Sequence, residues 1–512
     1  MRYAQVIEVF ISRAIFSELV DNIQVVILML ELVGVVAVKT SLEKSMFLEA
    51  EIKLRISSET VSAIKEHPLL KQRQIEGWRS GIIYNQYYDT PDKQLASEGV
   101  ALRMRRDGDQ YIQTLKYNAD GLAGMSVRQE WDWYLKSPDL DISLLDSSCW
   151  PKNLKNLDKS RLAPIFRTDF KRTRSLIRWQ RDRENIEVEA AIDEGSIETA
   201  EGSELICELE LEVRKGPDVA IFELAQSLAK DTSLMPCDLS KSERGYRLLA
   251  PTAPSDDREL PKWPGTVKVR TVMRDIGQVL LADIVSLSEH FHASRDRLSF
   301  HRLHRKLGML HQYFQIFRCN IPKTVRKELF EHTDAFFDDH QVDVSVSLKE
   351  SDRYDHAEAI FSGWIESNRW GQLLIGFGRW LHSELSGSVP PHAAREDMSD
   401  HVVMSWLKNE IGRTEGMVTK PLDSCSTKEA LMKNGMPPRL LFQRLFFIFG
   451  SFWSFLDIDR PSSLMRELEE VLSSNNRVPL GGEREQELLE RSLRELQVWD
   501  RQLASKIHQY VF

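Results

Sequence analysis

The segment 47–56, FLEAEIKLRI, sorts its side chains by position. Successive residues of a strand point to opposite faces. Glu49, Glu51, Lys53 and Arg55 therefore share one face, and Leu48, Ala50, Ile52, Leu54 and Ile56 share the other. A single strand of this kind has an ordinary explanation: half of it is buried and half is solvated. The pattern recurs, however. Arg103 and Arg105 lie opposite Val100, Leu102 and Met104, and Arg128, Glu130 and Asp132 lie opposite Val127, Trp131, Trp133 and Leu135. Arg172, Arg174 and Arg178 fall on one side of 170–178. Glu187, Glu189 and Asp193 alternate with Val188, Ala190 and Ile192, and Glu208, Glu210 and Glu212 alternate with Cys207, Leu209, Leu211 and Val213.

Like charges along one strand face repel, so acidic strands and basic strands must be offset by each other or by a ligand. Such strands close readily into a barrel with a charged lumen, its apolar side covered from outside by helices. About eight strands leave room inside for side chains or one small ligand. Clustered carboxylates do not all stay ionised without a cation, and an oxygen-only set suits Mg²⁺ or Mn²⁺. Clustered Arg and Lys need an anion, and guanidinium forks match phosphate oxygens two at a time. Both clusters in one lumen suit a metal-bound polyphosphate, with charge offset at the transferred phosphoryl group and an oriented attacking water.

A chain of 512 residues is long enough for two to four domains. From 46 to 249 the period is mostly two, broken by helical pieces from Ser57-Ser58 through Ile64 and at 218–230. Residues 250–265 carry four prolines and read as a linker. From 266 to 512 the period becomes 3.6, with helices expected near 269–293, 296–318, 323–337, 354–385, 401–412, 438–456 and 461–473. In the last helix Leu489, Leu493, Leu496, Trp499, Leu503, Ile507 and Tyr510 recur at spacings of three or four. Residues 1–45 are expected to lie outside the fold, with Met46 an alternative start. Their apolar run, 23–38, is short for a membrane span and contains Gln24 and Glu31. It also lacks the basic flank of a signal peptide.

With 68 Lys+Arg against 77 Asp+Glu and a net charge of −9, the chain is not a nucleic-acid-coating protein. The five cysteines are scattered and form no C-x-x-C pair, which fits a reducing cytoplasm. There is no phosphate-binding G-x-x-x-x-G-K-[ST] loop and no G-x-S-x-G elbow.

The motif Glu49-x-Glu51-x-Lys53 resembles the ExExK signature of the CYTH family, the triphosphate tunnel metalloenzymes. Further motifs follow in order: YYDTPD at 87–92, LRMR at 102–105, TLK at 114–116, VRQEW at 127–131, IDEG at 192–195, ICELELE at 206–212 and LSKSERGYRL at 239–248. The resemblance implies an α+β chain: an eight-stranded antiparallel β tunnel over 46–249, then an all-α bundle. By position, it implies Glu49, Glu51, Asp193, Glu208 and Glu210 as ligands of Mg²⁺ or Mn²⁺. Lys53, Arg103, Arg105, Lys116, Arg128 and Arg172 would hold the triphosphate, Glu130 would orient a neighbouring Arg, and Lys241 and Arg244 would close the tunnel. Glu49, Glu51, Lys53 and Glu210 are the expected catalytic set. Arg55, Arg174, Arg178 and Glu212 would line the rim. The implied reaction is hydrolysis of inorganic triphosphate; thiamine or nucleoside triphosphates, or non-catalytic polyphosphate binding, are the alternatives. Class IV adenylyl cyclases of the family carry a His-Phe pair before ExExK, and here Ser45-Met46-Phe47-Leu48 stands there.

The helical half resembles a CHAD domain. Its densest basic stretch, 295–311, puts Arg297, His301, His304 and Arg305 near one helix face, with Leu298, Leu303, Leu307 and Leu310 expected on the core side. Long-chain polyphosphate binding there is one reading. The others are a solvated face balanced by acidic helices, and a scaffold bracing the barrel. His290, His292 and His311 lack metal-ligand spacing. Trp131, Trp133, Trp364, Trp370 and Trp380 read as core or rim.

Overall fold

The computed structural model describes residues 45–117, 124–181, 184–250, 258–339, 351–386, 402–422, 438–456, 461–473 and 483–511. The N-terminal extension and its apolar run lie outside these. Residues 45–512 form one compact unit.

The strands are β1 (Ser45–Arg55), β2 (Gln74–Asp89), β3 (Val100–Asp107), β4 (Gln110–Tyr117), β5 (Met125–Leu135), β6 (Ala163–Arg181), β7 (Glu184–Glu198), β8 (Ser203–Lys215) and β9 (Met235–Pro236). They make one antiparallel sheet in the order β5-β4-β3-β2-β6-β7-β8-β1-β9, with β5 also pairing to β1. The expected eight-stranded barrel is thus corrected to nine strands without a continuous seam. Ser45–Ile52 of β1 pair with β5, and Glu51–Arg55 pair with β8. Glu51 and Ile52 pair with both β5 and β8, and Leu54 and Arg55 with both β8 and β9, so successive parts of one strand join β5 to β8.

The alternation read from the sequence has a physical outcome. Ile52, Leu54, Val188, Ala190, Ile192, Leu209 and Leu211 are fully buried on the outer face. They pack there with helices α1 (Ser58–Glu66), where the Ser57 side chain accepts from the Thr60 amide, and α4 (Val219–Leu228). Between these lie α2 (Pro68–Arg73) and α3 (Gln94–Ser97). The inner face is charged over only part of its length. Towards one end it becomes apolar, with Ile83, Tyr87, Phe166, Phe170, Ile197 and Ile206 packed against Tyr246, Leu248 and Leu249 of helix α5 (Lys241–Leu249).

The helical half comprises α6 (Val269–Ser294), α7 (Arg297–Ile316), α8 (Lys323–Asp339), α9 (Ser351–Ile365), α10 (Asn368–Ser386), α11 (Val403–Leu422), α12 (Pro438–Phe452), α13 (Ser462–Ser473) and α14 (Glu483–Val511). The single helix expected over 354–385 is two, because the chain turns between Ile365 and Asn368. α14 buries Leu489, Leu496, Trp499 and Leu503 and packs on α11. α10 lies against α4 and β9, and one hydrophobic core runs from the outer face of the sheet through the helices. Within 250–265, the described residues are anchored. Trp263 stacks on Phe455 at 5.4 Å and donates to Asp275, and Arg258 bonds Asp283.

Two expectations about 295–311 change. Leu298 is 60% exposed rather than in the core. Two cations of this stretch are held by acids: Lys306 bonds buried Asp283 at 2.7 Å, and Arg305 pairs with Glu469. The five tryptophans singled out above are all buried.

Candidate active site

Strand register sets up the site. Arg172 on β6 stands opposite Asp193 on β7. Asp193 stands opposite Glu208 on β8, and Glu208 opposite Arg55 on β1. One row across four strands therefore carries charges plus, minus, minus, plus. Two residues along, Glu210 is opposite Lys53. Asp193, Glu208 and Glu210 are buried, and one carboxylate oxygen from each lies within 4.8 Å of the others.

Cations hold this triad on two sides. The Arg172 guanidinium donates to both Asp193 oxygens at 2.7 Å and also bonds Glu210. Arg244 donates to Glu208 Oε2 at 2.9 Å and to Glu204 at 2.7 Å. Lys241 Nζ reaches Asp193 Oδ2 at 2.7 Å and Glu210 Oε1 at 2.9 Å, and bonds Glu208 Oε1 as well. Both Lys241 and Arg244 come from α5, whose start is fixed by a capping box between Ser240 and Glu243. Burial alone would push Glu210 up, but Lys241, Arg172 and Lys53 outweigh it and hold the carboxyl well below its usual range. Burial would likewise lower Arg172 and Lys241, and their carboxylate partners raise both instead.

The facing strands carry the excess positive charge. Arg105 is pushed down to about 10, first by burial and then by Arg103 and Arg172. Its Nε donates to Asn85, itself fully buried. Glu130 receives Arg103 at 3.4 Å and Lys116 at 2.6 Å, so it orients two cations rather than one. Crowded guanidinium groups of this kind are relieved by an anion.

On β1, Glu51 and Lys53 are buried and 3.5 Å apart. Glu49 pairs with Arg128 in the β1–β5 register; their side chains lie outside the described residues. Lys53 is fixed through its peptide. Its N–H donates to the Gly124 carbonyl, and its carbonyl accepts from the Cys237 N–H. Gly124 has φ +84°, and a Cβ there would collide with the Lys53 carbonyl oxygen, so only glycine fits. Of the rim residues, Arg55 bonds Glu204, Arg174 bonds Asp107 and Glu212 pairs with Arg214.

Sequence reasoning missed Glu204, which receives Arg244, Arg55 and the more distant Arg247. It lies four residues before Glu208 on the same face, so the alternation already marked it. Asn85 and Gly124 carried no such signal. Phe170 was missed too; its ring lies 5.0 Å from Lys241 Nζ. The triad offers oxygen donors only, is buried, and turns one oxygen from each residue toward a single ammonium. That donor set fits a hard divalent cation.

Residues 48–246 match the family model of the CYTH domain. Over 207 residues the chain is 30% identical to the inorganic triphosphatase of Haemophilus influenzae, covering 40% of this chain and 56% of that protein. The chain thus spans little more than half the length of that relative. Among solved structures it is similar to a Hippeastrum protein described as having a dominant triphosphatase activity, at 19% identity over 39% of this chain and 95% of that one, with a TM-score of 0.30. A Pyrococcus horikoshii protein matches at 18% identity over 38% of this chain and 97% of that one, with a TM-score of 0.26.

Proposed function

We infer that the chain hydrolyses inorganic triphosphate to diphosphate and phosphate, with Mg²⁺ or Mn²⁺ held by Asp193, Glu208 and Glu210, and by Glu51 and Glu49 from β1. The observation that carries this reading is the buried carboxylate triad lying directly beside a cation-rich wall. The named relative supports triphosphate as the substrate. Carboxylates inside a purely anion-binding lumen would only weaken it, which disfavours a non-catalytic module.

Arg103, Arg105, Lys116 and Arg172 hold the phosphate oxygens, with Arg forks fixing orientation as well as charge. Glu130 keeps Arg103 and Lys116 aimed while the lumen is being filled. Lys53, held by both of its peptide groups, stabilises negative charge on the departing diphosphate. A bound divalent ion supplies charge neutralisation at the phosphoryl group and acidifies water. The apolar end of the lumen, closed by α5, limits bulk water to the charged end.

The test is phosphate release from tripolyphosphate with and without Mg²⁺, beside ATP and thiamine triphosphate. Mg²⁺-dependent release from tripolyphosphate above the other two is expected. A preference for thiamine triphosphate or ATP would reassign the substrate, and no release from any of them would leave a binding module. No helix among the described residues is long and apolar enough to cross a membrane, and the four described cysteines are free thiols. Both facts are compatible with a cytoplasmic enzyme.

A further inference from the structure

The carboxylates proposed to hold a metal share their oxygens unequally. Arg172 takes both oxygens of Asp193 and Oε2 of Glu210. Arg244 takes Oε2 of Glu208. Asp193 Oδ2, Glu208 Oε1 and Glu210 Oε1 converge on one atom, the ammonium of Lys241. All three N–H donors of that ammonium are thereby used, and it is 7% exposed. One oxygen from each of three residues, gathered on one point charge, is also what a divalent ion would take.

An ammonium and a dication cannot share a site whose ligand atoms lie within 4.8 Å of one another. One must leave. The α5 backbone is pinned by its capping box and by Arg244, which bonds Glu204, Glu208 and the Leu205 carbonyl. The mobile part is the lysine's four-carbon stem, which must turn the charge toward a new anion. The only new anion in the lumen is the substrate.

We propose that Lys241 is the resident counter-ion of the metal site, and that triphosphate promotes metal loading by drawing the Lys241 ammonium onto its own oxygens. Metal and triphosphate then bind with positive coupling, and by linkage each tightens the other equally. The inference rests on the metal reading above. It adds that the site is self-occupied until substrate arrives, so metal alone binds weakly.

The test is Mn²⁺ binding to the full chain, followed by electron paramagnetic resonance. It is run with and without a tripolyphosphate analogue carrying methylene bridges. The unmodified chain should bind Mn²⁺ weakly alone and at least tenfold more tightly with the analogue. Lys241→Met should bind Mn²⁺ at least tenfold more tightly than the unmodified chain without analogue, and its gain from the analogue should shrink below threefold. Lys241→Gln, which keeps two N–H donors for the carboxylates, serves should the methionine variant not fold. Adding Asp193→Asn to either should abolish the tight binding. Lys241 variants that bind Mn²⁺ no more tightly than the unmodified chain overturn the proposal and leave the metal reading intact. So does an unmodified chain that binds Mn²⁺ equally well without analogue. Failure of every protein to bind Mn²⁺, with or without analogue, sinks the metal reading itself and this proposal with it.

Discussion

Glu289 on α6 is fully buried, and one of its oxygens accepts from the Cys237 thiol at 2.6 Å. The other, Oε2, has no partner among the described residues. Burial pushes this carboxyl up from 4.5 to about 7. An acid whose folded value is raised adds stability at low pH and loses it as pH climbs through the folded value. Between about 4.5 and 7 the folded chain holds a proton that the unfolded chain has released. A gap of roughly 2.5 units corresponds to about 3 kcal/mol. Glu289→Gln keeps the shape and cannot ionise. Its stability relative to the unmodified chain should therefore rise by up to about 3 kcal/mol between pH 5 and pH 8. Any constant offset from placing an amide beside Cys237 cancels in that difference. Chemical denaturation followed by tryptophan fluorescence at pH 5, 6, 7 and 8 measures it. A difference that stays flat across the series would refute the reasoning, because it would mean that Glu289 titrates alike in both states.

Two further outcomes follow from the site. Glu51→Gln and Glu210→Gln should each lower Mg²⁺-dependent phosphate release by about 100-fold or more, with circular dichroism unchanged. Near-normal turnover at saturating Mg²⁺ would remove either carboxylate from the catalytic set. Gly124→Ala forces a side chain onto a residue at φ +84° and into the Lys53 carbonyl. It should cost at least about 1 kcal/mol of stability and should lower turnover through Lys53, read as a melting shift together with a fall in kcat.

What the sequence disclosed was whatever is written in side-chain periodicity. Alternation in β1, β7 and β8 named Glu51, Asp193, Glu208 and Glu210, and the register then brought the last three together. The 3.6-residue period of α14 gave its buried stripe. Hidden features were those set by pairing between distant strands. Asn85 is one of several polar residues on a long strand, and only the register opposite Arg105 on one side and Thr168 on the other gives it its partners. The break between α9 and α10 carries no proline, and both flanks share one helical period. The apolar end of the lumen was not legible because Phe166 and Phe170 keep the same alternation as Arg172, and only the pairing of distant strands gathers them with Ile83, Tyr87, Ile197 and Ile206.

The helical half has a physical reason to be attached. Strands with one face charged and enclosed must still hide the opposite face, and the short helices of the strand-rich half cover only part of it. α10, lying on α4 and β9, completes the cover, and the core is continuous from Leu209 to Trp499. The attachment also reaches inward. Glu289 of α6 bonds Cys237, whose N–H bonds the Lys53 carbonyl, so two hydrogen bonds link a helix of one half to the floor of the other's lumen. A buried network of opposite charges gains little stability in itself, since desolvation offsets most of the attraction. Its geometry must therefore be imposed from outside. Large buried aromatic contacts in the helices, such as Phe317 stacked on Trp406 at 4.9 Å, supply apolar burial that the charged lumen does not.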